Sequence, residues 1–472
     1  MNKSKTTKIT DNPFSSIFYL IPIAILITAI TVSKGACAAG IEGMSINKAF
    51  LYSLKYNKIL RLGKANLNIA GYEENEALSG FFPKINFNET YLNTDNPLYA
   101  FGSVLNQKIL TNQNVQSYFS PNFLNNPGMI HNYQSEFQIE QPLFMGGKIY
   151  LGYQRARLHK LSLKNGLSET KQKVLYSVAK AYYSVILAHK YVKLMKSIVK
   201  TAKAYKNLSE NLYRAGQVVS SDVLRAKVEL ATAEEKLATA KKNYKLSKYF
   251  LNITIGLNVD AKYKLTSKLT PSYNKSLSIN SLQKEAFAYR PDYKALLFNK
   301  KNMGIGIKEA YGKFLPTLVA GYDYFSNGPA IHPDDSYSYA FTVMLHFNIF
   351  SGLRDYNNLQ KSKSRYNTMI EYQGLLRNKI EMQVRKAYLQ YKTNFINTNV
   401  AKLAVLNAKE TLRITANRYK AGMTTLINLY KTLDQYKTAR VSYLNALYEL
   451  TLNKYYIKLV TGRLTMVPES KS

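Results

Sequence analysis

The feature that most constrains this chain is an internal repeat whose spacing is kept to the residue. Phe144-Met145-Gly146 is echoed by Phe350-Ser351-Gly352, Tyr213-Arg214-Ala215-Gly216 by Tyr419-Lys420-Ala421-Gly422, and Gly256 by Gly462, each pair 206 positions apart. Upstream the offset is 233. There Gly80-Phe81-Phe82-Pro83-Lys84-Ile85 is echoed by Lys313-Phe314-Leu315-Pro316-Thr317-Leu318, and Tyr56, Glu76 and Ala77 by Tyr289, Glu309 and Ala310. The chain is therefore a duplication with a single length change, which falls between Pro83 and Phe144 and makes the first copy the longer there. Constant length from Phe144 to Gly256 is what long helices in register with partners require; loops would drift.

The periodicity agrees. Lys148 to Arg214 holds no proline, and Val174, Val178, Ala181, Val185, Ala188, Val192, Met195, Val199 and Ala202 follow a strict 4-3 spacing. Ile380, Val384, Ala387, Tyr391, Asn394, Thr398, Ala401, Val405 and Ala408 repeat it. So do Ala226, Leu230, Ala233, Leu237, Ala240, Tyr244, Ser247 and Leu251, and Thr432, Tyr436, Ala439, Tyr443, Ala446, Leu450, Asn453 and Ile457. A sustained 3.5 period predicts supercoiled helices rather than isolated amphipathic ones. Long helices are expected over 147–214 and 353–420, and shorter ones over 45–80, 221–255 and 427–460. At 1.5 Å per residue the long helices span about 100 Å and the short ones roughly 50 Å. Two short helices end to end match one long helix, which suggests a helical tube of about 100 Å.

Between the helices the period changes to two. Tyr337, Tyr339, Phe341, Val343, Leu345 and Phe347 alternate with Ser338, Ala340, Thr342, Met344, His346 and Asn348; Leu318, Ala320, Tyr322 and Tyr324 with Val319, Gly321, Asp323 and Phe325; Tyr133, Ser135, Phe137 and Ile139 with Gln134, Glu136, Gln138 and Glu140; and Ile85, Phe87 and Tyr91 with Asn86, Asn88 and Thr90. Strands are expected over 84–92, 133–143, 317–325 and 337–349. Each has one apolar and one polar face, the length of a tilted membrane-spanning strand and tyrosine-rich ends that fit an interfacial girdle. Four strands cannot close a barrel, and open edges are not tolerated in lipid, so the strands must be shared among subunits. The segment 93–132, rich in Asn, Ser, Tyr and Pro, holds the extra length and is expected to face outside. Residues 257–279 link a first repeat (39–256) to a second (280–464), followed by a tail (465–472).

The N-terminus supplies the compartment. Lys3, Lys5 and Lys8 precede an apolar run from Phe18 to Val32, and then Gly35-Ala36-Cys37-Ala38-Ala39-Gly40. The run is shorter than the ~20 residues of a spanning helix, and the small residues fit a cut after Ala38, so residues 1–38 read as a secretory signal peptide. Cys37 raises a lipidation alternative, against which Lys34 stands where a lipobox wants an aliphatic residue. Removal of 1–38 leaves +33 of the formal charge of +36 and takes away the single cysteine. No disulfide framework or cysteine zinc site is then available. The positive charge suggests a polyanionic partner. It is scattered, however, without the basic–aromatic motifs of nucleic-acid readers, and biased composition produces the same excess.

Taken together, these features resemble the TolC family of outer-membrane efflux and secretion channels. The resemblance rests on Phe81-Phe82-Pro83 and Phe314-Leu315-Pro316 at helix-to-strand junctions, and on Gln141-Pro142-Leu143-Phe144-Met145-Gly146-Gly147 and Asn348-Ile349-Phe350-Ser351-Gly352 at strand-to-helix turns. It rests also on Tyr213-Arg214-Ala215-Gly216 through Asp222 and Tyr419-Lys420-Ala421-Gly422 through Asn428 at helical hairpin tips. The likeness covers roughly residues 45–464. It implies an α+β membrane protein in which three protomers share a 12-stranded barrel in the outer membrane and a 12-helix tube in the periplasm. It also implies docking to a periplasmic adaptor and to an inner-membrane transporter, proton-driven or ATP-driven, with passive conduction of small molecules or polypeptides, as in efflux or type I secretion.

The resemblance further implies that the tips carry adaptor contacts and the gate, at Tyr213, Arg214, Ala215, Gly216, Tyr419, Lys420, Ala421 and Gly422. A latch in one member uses an acid, a tyrosine and an arginine that match Asp222, Tyr419 and Thr424. That member narrows its entrance with aspartates matching Asn428 and Lys431, neither of which is acidic here; Lys431 reads either as favouring anionic cargo or as a solvated lysine. Asp434, one turn on, offers a displaced acidic ring. The first copy also has Lys58 where the second has the family's helix-start proline, Pro291. A glycine after a charged residue fits a left-handed helix end, and Ser221 or Asp222 is expected to cap the next helix. The alternative is a periplasmic coiled-coil adaptor, which would need a Gly- and Val-rich β-domain that is not visible. No Gly-rich phosphate loop, HExxH or triad spacing points to an enzyme, and no cofactor is expected.

Overall fold

A computed structural model describes residues 41–465 except 275 and 332–335. The signal peptide, Cys37 and most of the tail lie outside the described residues, and the fold is that of the unit Glu42–Ser472. The first repeat runs β1 (Ile41–Met44), α1 (Ile46–Tyr56), α2 (Lys58–Ser79), β2 (Lys84–Thr94), three short helices α3 (Pro97–Asn106), α4 (Val115–Tyr118) and α5 (Pro121–Asn125), then β3 (Ile130–Met145), α6 (Lys148–Arg214) and α7 (Ser220–Ile255). The link holds β4 (Tyr263–Leu265), which pairs with β1. The second repeat runs α8 (Ile279–Tyr289), α9 (Pro291–Gly312), β5 (Thr317–Gly328), β6 (Tyr337–His346), α10 (Arg354–Lys420) and α11 (Leu426–Val460).

α6 and α10 are each 67 residues long, on the order of 100 Å. Their heptad seams face inward: Val178, Ala181, Val185 and Met195 of α6 and Ile380, Val384 and Ala387 of α10 are buried. One apolar cluster joins Met195, Ile198 and Ala202 of α6 to Ala226, Ala233 and Ala240 of α7 and Leu426, Leu429 and Leu433 of α11. A second joins α8, α10 and α11 around Ala286, Ile380, Val384 and Leu450. Alanine at alternate seam positions brings the backbones close, and larger residues fill the layers between.

One expectation is corrected. The segment 45–80 is not a single helix: it breaks at Asn57 (φ −62°, ψ 125°), and its second copy breaks at Arg290 (φ −62°, ψ 123°). Lys58 and Pro291 each open the next helix, where a missing amide proton costs nothing, so lysine and proline both serve. The break is fixed from outside. Gly256 and Gly462 end α7 and α11 with φ of 81° and 72°, and a Cβ on either would lie 2.6 Å from the backbone of Tyr56 or Tyr289. Each copy thus presses a left-handed helix end against the bend of its short-helix pair.

The four-stranded sheet is antiparallel in the order β2-β3-β5-β6. The centre pair, β3 and β5, comes from different repeats, and the register slips at a bulge between Pro142 and Phe144, where proline costs no ladder bond. β2 reaches Thr94 and β3 begins at Ile130, so both strands run into the segment expected as loop. β6 ends at His346, short of the expected end at Asn348-Ile349.

Candidate functional site

The register sorts the sheet into two faces. Ile85, Ile139, Tyr322 and Phe341 form one row across the four strands, and Phe87, Phe137, Tyr324 and Tyr339 the next. The rings of Phe87 and Phe137 pack tilted with centroids 4.8 Å apart, as do those of Tyr91 and Tyr133. The opposite face carries Lys84, Glu140 and Thr342; Asn86, Gln138 and Asp323; and Asn88, Glu136 and Ser338. Asn88 Nδ2 donates to Glu136 Oε2 at 3.2 Å and Asn86 Nδ2 to Gln138 Oε1 at 3.4 Å. Glu89 is the exception on the apolar face, where it accepts from Ser135 Oγ at 2.5 Å.

At the far end of the long helices the two tips share one geometry. Gly216 N donates to Tyr213 O at 2.9 Å and Gln217 N to Leu212 O at 2.8 Å; Gly422 N donates to Tyr419 O at 3.1 Å and Met423 N to Arg418 O at 2.8 Å. These reciprocal bonds are the Schellman arrangement, with glycine in the left-handed region at φ 69° and 71°. Tyr213, Arg214, Ala215, Lys420 and Ala421 are exposed, and Tyr419 is buried.

The caps differ from expectation. α7 has Val219 at its cap with no side-chain bond, and neither Ser221 nor Asp222 caps it. In the second copy Thr425, the residue matching Val219, accepts from Asn428 N at 3.3 Å. The Thr424-Thr425 pair before an apolar run was the signal for it.

Among the latch candidates, Tyr419 Oη lies 2.9 Å from Ser209 Oγ, a partner that sequence did not suggest. Burial pushes the Tyr419 phenol up; the Ser209 bond opposes this and the nearby Asp222 charge adds to it. Asp222 thus acts on Tyr419 through its charge, while the bond Tyr419 makes is to Ser209. Thr424 Oγ1 instead accepts from Asn428 Nδ2 at 3.3 Å, within its own tip. Asn428 and Lys431 are exposed, and Asp434 is ion-paired with Lys437. Among the described residues no group of His, Cys, Asp or Glu is arranged to hold a metal, and no helix is long and apolar enough to cross a membrane.

The sequence profile described as "Outer membrane efflux protein" matches residues 53–252 and 282–463. The chain belongs to the outer membrane efflux protein family. Its fold is similar to that of the Campylobacter jejuni CmeC outer membrane channel, at 16% identity with a TM-score of 0.76 over 89% of this chain and 85% of that one. It is also similar to the open state of the Neisseria gonorrhoeae MtrE outer membrane channel, at 16% identity and a TM-score of 0.73 over 89% and 90%. A third likeness is to the outer membrane protein VceC of Vibrio cholerae, at 15% identity and 0.72 over 88% and 96%. No curated protein matches by sequence.

Family membership decides for an outer-membrane channel and against a periplasmic adaptor. The helices then form a periplasmic tube, and in an outer-membrane barrel an apolar strand face meets lipid while a polar face lines the lumen.

Proposed function

We propose that three copies of this chain form a passive conduit that receives cargo from an inner-membrane transporter through a periplasmic adaptor. The observation that carries this reading is the pair of unpaired sheet edges, β2 and β6. Edges cannot stand open in lipid. The strands alternate in direction, so β6 of one copy meets β2 of the next antiparallel. Three copies give a 12-stranded barrel, wider than the eight-stranded barrels that side chains fill.

The helices support the same assembly. Leu224, Val228 and Phe250 of α7 and Ile396, Val400 and Leu403 of α10 are exposed on one protomer, as expected of faces that a neighbouring copy covers. The exposed tip residues Tyr213–Gly216 and Lys420–Gly422 are the adaptor contact, with the buried Tyr419 holding its tip from within, and Asp222, Tyr419, Thr424, Asn428 and Lys431 belong to the entrance. Energy comes from the transporter, proton-driven or ATP-driven, and the chain itself catalyses nothing. Both drug-like molecules and secreted polypeptides fit such a conduit. Outer-membrane lipid is the partner of the aromatic strand face.

Fractionation followed by SDS electrophoresis without boiling tests this. The expected result is a trimer in the outer-membrane fraction that falls to a monomer on heating. A soluble periplasmic monomer would overturn it.

A further inference from the structure

The extra length that distinguishes the first repeat includes α3, and α3 does not stand out into solvent. It packs on β3 and β5 at the end of the strands away from the helices. Ala100, Ser103 and Val104 are buried against them. Gln107, which follows it, donates from Nε2 to His131 O at 2.7 Å and to Asn132 Oδ1 at 3.0 Å, and Asn132 Nδ2 donates to Asn327 Oδ1 at 2.8 Å. Asn132 and Asn327 stand opposite Leu92 and Gln134, on the face that lines the lumen. Ser336 Oγ donates to Gln107 O at 2.7 Å. Lys108 holds the left-handed region at φ 53°, unusual for a lysine, while its Nζ donates to Tyr337 O at 2.7 Å. The end of the helix is thus pinned inward, over the lumen side of the sheet, by bonds to β3 and to the start of β6, with β5 reached through Asn132.

The opposite side of α3 is apolar and uncovered. Leu98 is 77% and Leu105 45% exposed, and Gly102 between them meets nothing within 4 Å. Positions i, i+4 and i+7 share one helical face. A leucine stripe facing a polar, water-filled lumen needs a partner. We propose that this partner is α3 of the neighbouring copies: three α3 helices meet through Leu98, Gly102 and Leu105 on the threefold axis and close the extracellular mouth. The inference rests on the trimeric channel reading.

Size agrees with it. Twelve tilted strands about 4.8 Å apart enclose a barrel roughly 24 Å across between backbones. Three helices, each about 10 Å wide with side chains, fill that width. Gly102 lets the backbones approach, as small residues do where helices cross closely. An apolar constriction of this kind blocks ions by shedding water, without needing charge. The β5–β6 connection carries no such helix among its described residues, so each protomer supplies one.

Leu98→Cys tests the contact directly. Treated with a short bismaleimide in intact outer membranes, the variant is expected to yield covalently linked subunits, and the wild-type chain none. In planar bilayers Leu98→Ser/Leu105→Ser trimers are expected to conduct at least about threefold more than wild type. Leu98→Cys trimers that do not cross-link, or double-variant trimers with wild-type conductance, would overturn the plug. Failure of the wild-type chain to form trimers at all would instead remove the channel reading beneath it.

Discussion

At the scale of single residues, the duplication shows two side chains solving one problem. Asn57 and Arg290 occupy matching bends. Asn57 caps α2 with its Oδ1 and donates from Nδ2 to Thr254 O at 2.8 Å. Arg290 reaches the matching carbonyl, Val460 O, at 3.3 Å, and donates to Gln383 Oε1 at 2.8 Å. A buried guanidinium needs an anion, which Asn57 does not. Asp292 supplies it, accepting from Arg290 Nη2 at 2.5 Å and from Tyr293 N at 2.9 Å. Burial pushes the Asp292 carboxyl up, but the Arg290 bonds and charge and the Tyr293 amide outweigh it and hold it below the usual range. A depressed carboxyl contributes stability above its unfolded pKa of about 3.9 and loses it as pH falls through the folded value. Thermal dissociation measured from about pH 5 down to pH 3 is therefore expected to fall more steeply for wild type than for Asp292→Asn. Parallel curves would show that the pair contributes nothing across that window.

At the scale of elements, the contact of Gly256 with the Tyr56 bend makes a sharper claim. An alanine there meets both a strained backbone, at roughly 1–2 kcal/mol, and the Tyr56 carbonyl 2.6 Å away. Gly216 has a similar φ of 69° but open space around it. Gly256→Ala is expected to lower unfolding stability by about 3 kcal/mol or more, and Gly216→Ala by about 1 kcal/mol. Denaturant titration of the purified assembly compares them, and equal losses would mean that the close approach carries no weight. The same contact explains what sequence could and could not show. Seams such as Val174–Ala202 and Ile380–Ala408 are local patterns, so helix identity, length and burial were legible. The break at Asn57 was not legible in its own segment, where a helix over 45–80 satisfies every local rule; only Pro291 in the second copy marked the matching position, and the bend packs against Gly256, at the far end of the same repeat. The β1–β4 pair and α3–α5 are too short to show a period. At the tips, glycine placement announced the helix ends, whereas the Ser209–Tyr419 bond joins residues 210 apart in sequence and only the folded chain brings them together.

At the scale of the whole molecule, the charge is unevenly placed. The chain carries +36 overall, yet the four membrane strands hold Glu89, Glu136, Glu140 and Asp323 against Lys84 alone. Glu136, Glu140 and Asp323 lie on the lumen face, so the barrel is acidic while the positive charge lies in the helical part. At the second helical tip Asn428 and Lys431 are exposed, and Asp434, about one turn on, is ion-paired with Lys437. A displaced acidic ring at Asp434 would therefore carry the Lys437 charge beside it. Opposite signs at the two ends of one conduit act in series, and the narrower end dominates selectivity. With three copies, Lys431→Asp replaces three cations by three anions at the entrance. With the mouth opened by Leu98→Ser/Leu105→Ser, reversal potentials across planar bilayers in a salt gradient are expected to shift toward cations by about twofold or more in permeability ratio. Glu136→Gln, in the wider barrel, is expected to shift them less and the other way. Strong cation selectivity that Lys431→Asp leaves unchanged would place Lys431 away from the narrowing and leave the barrel carboxylates as the controlling charges.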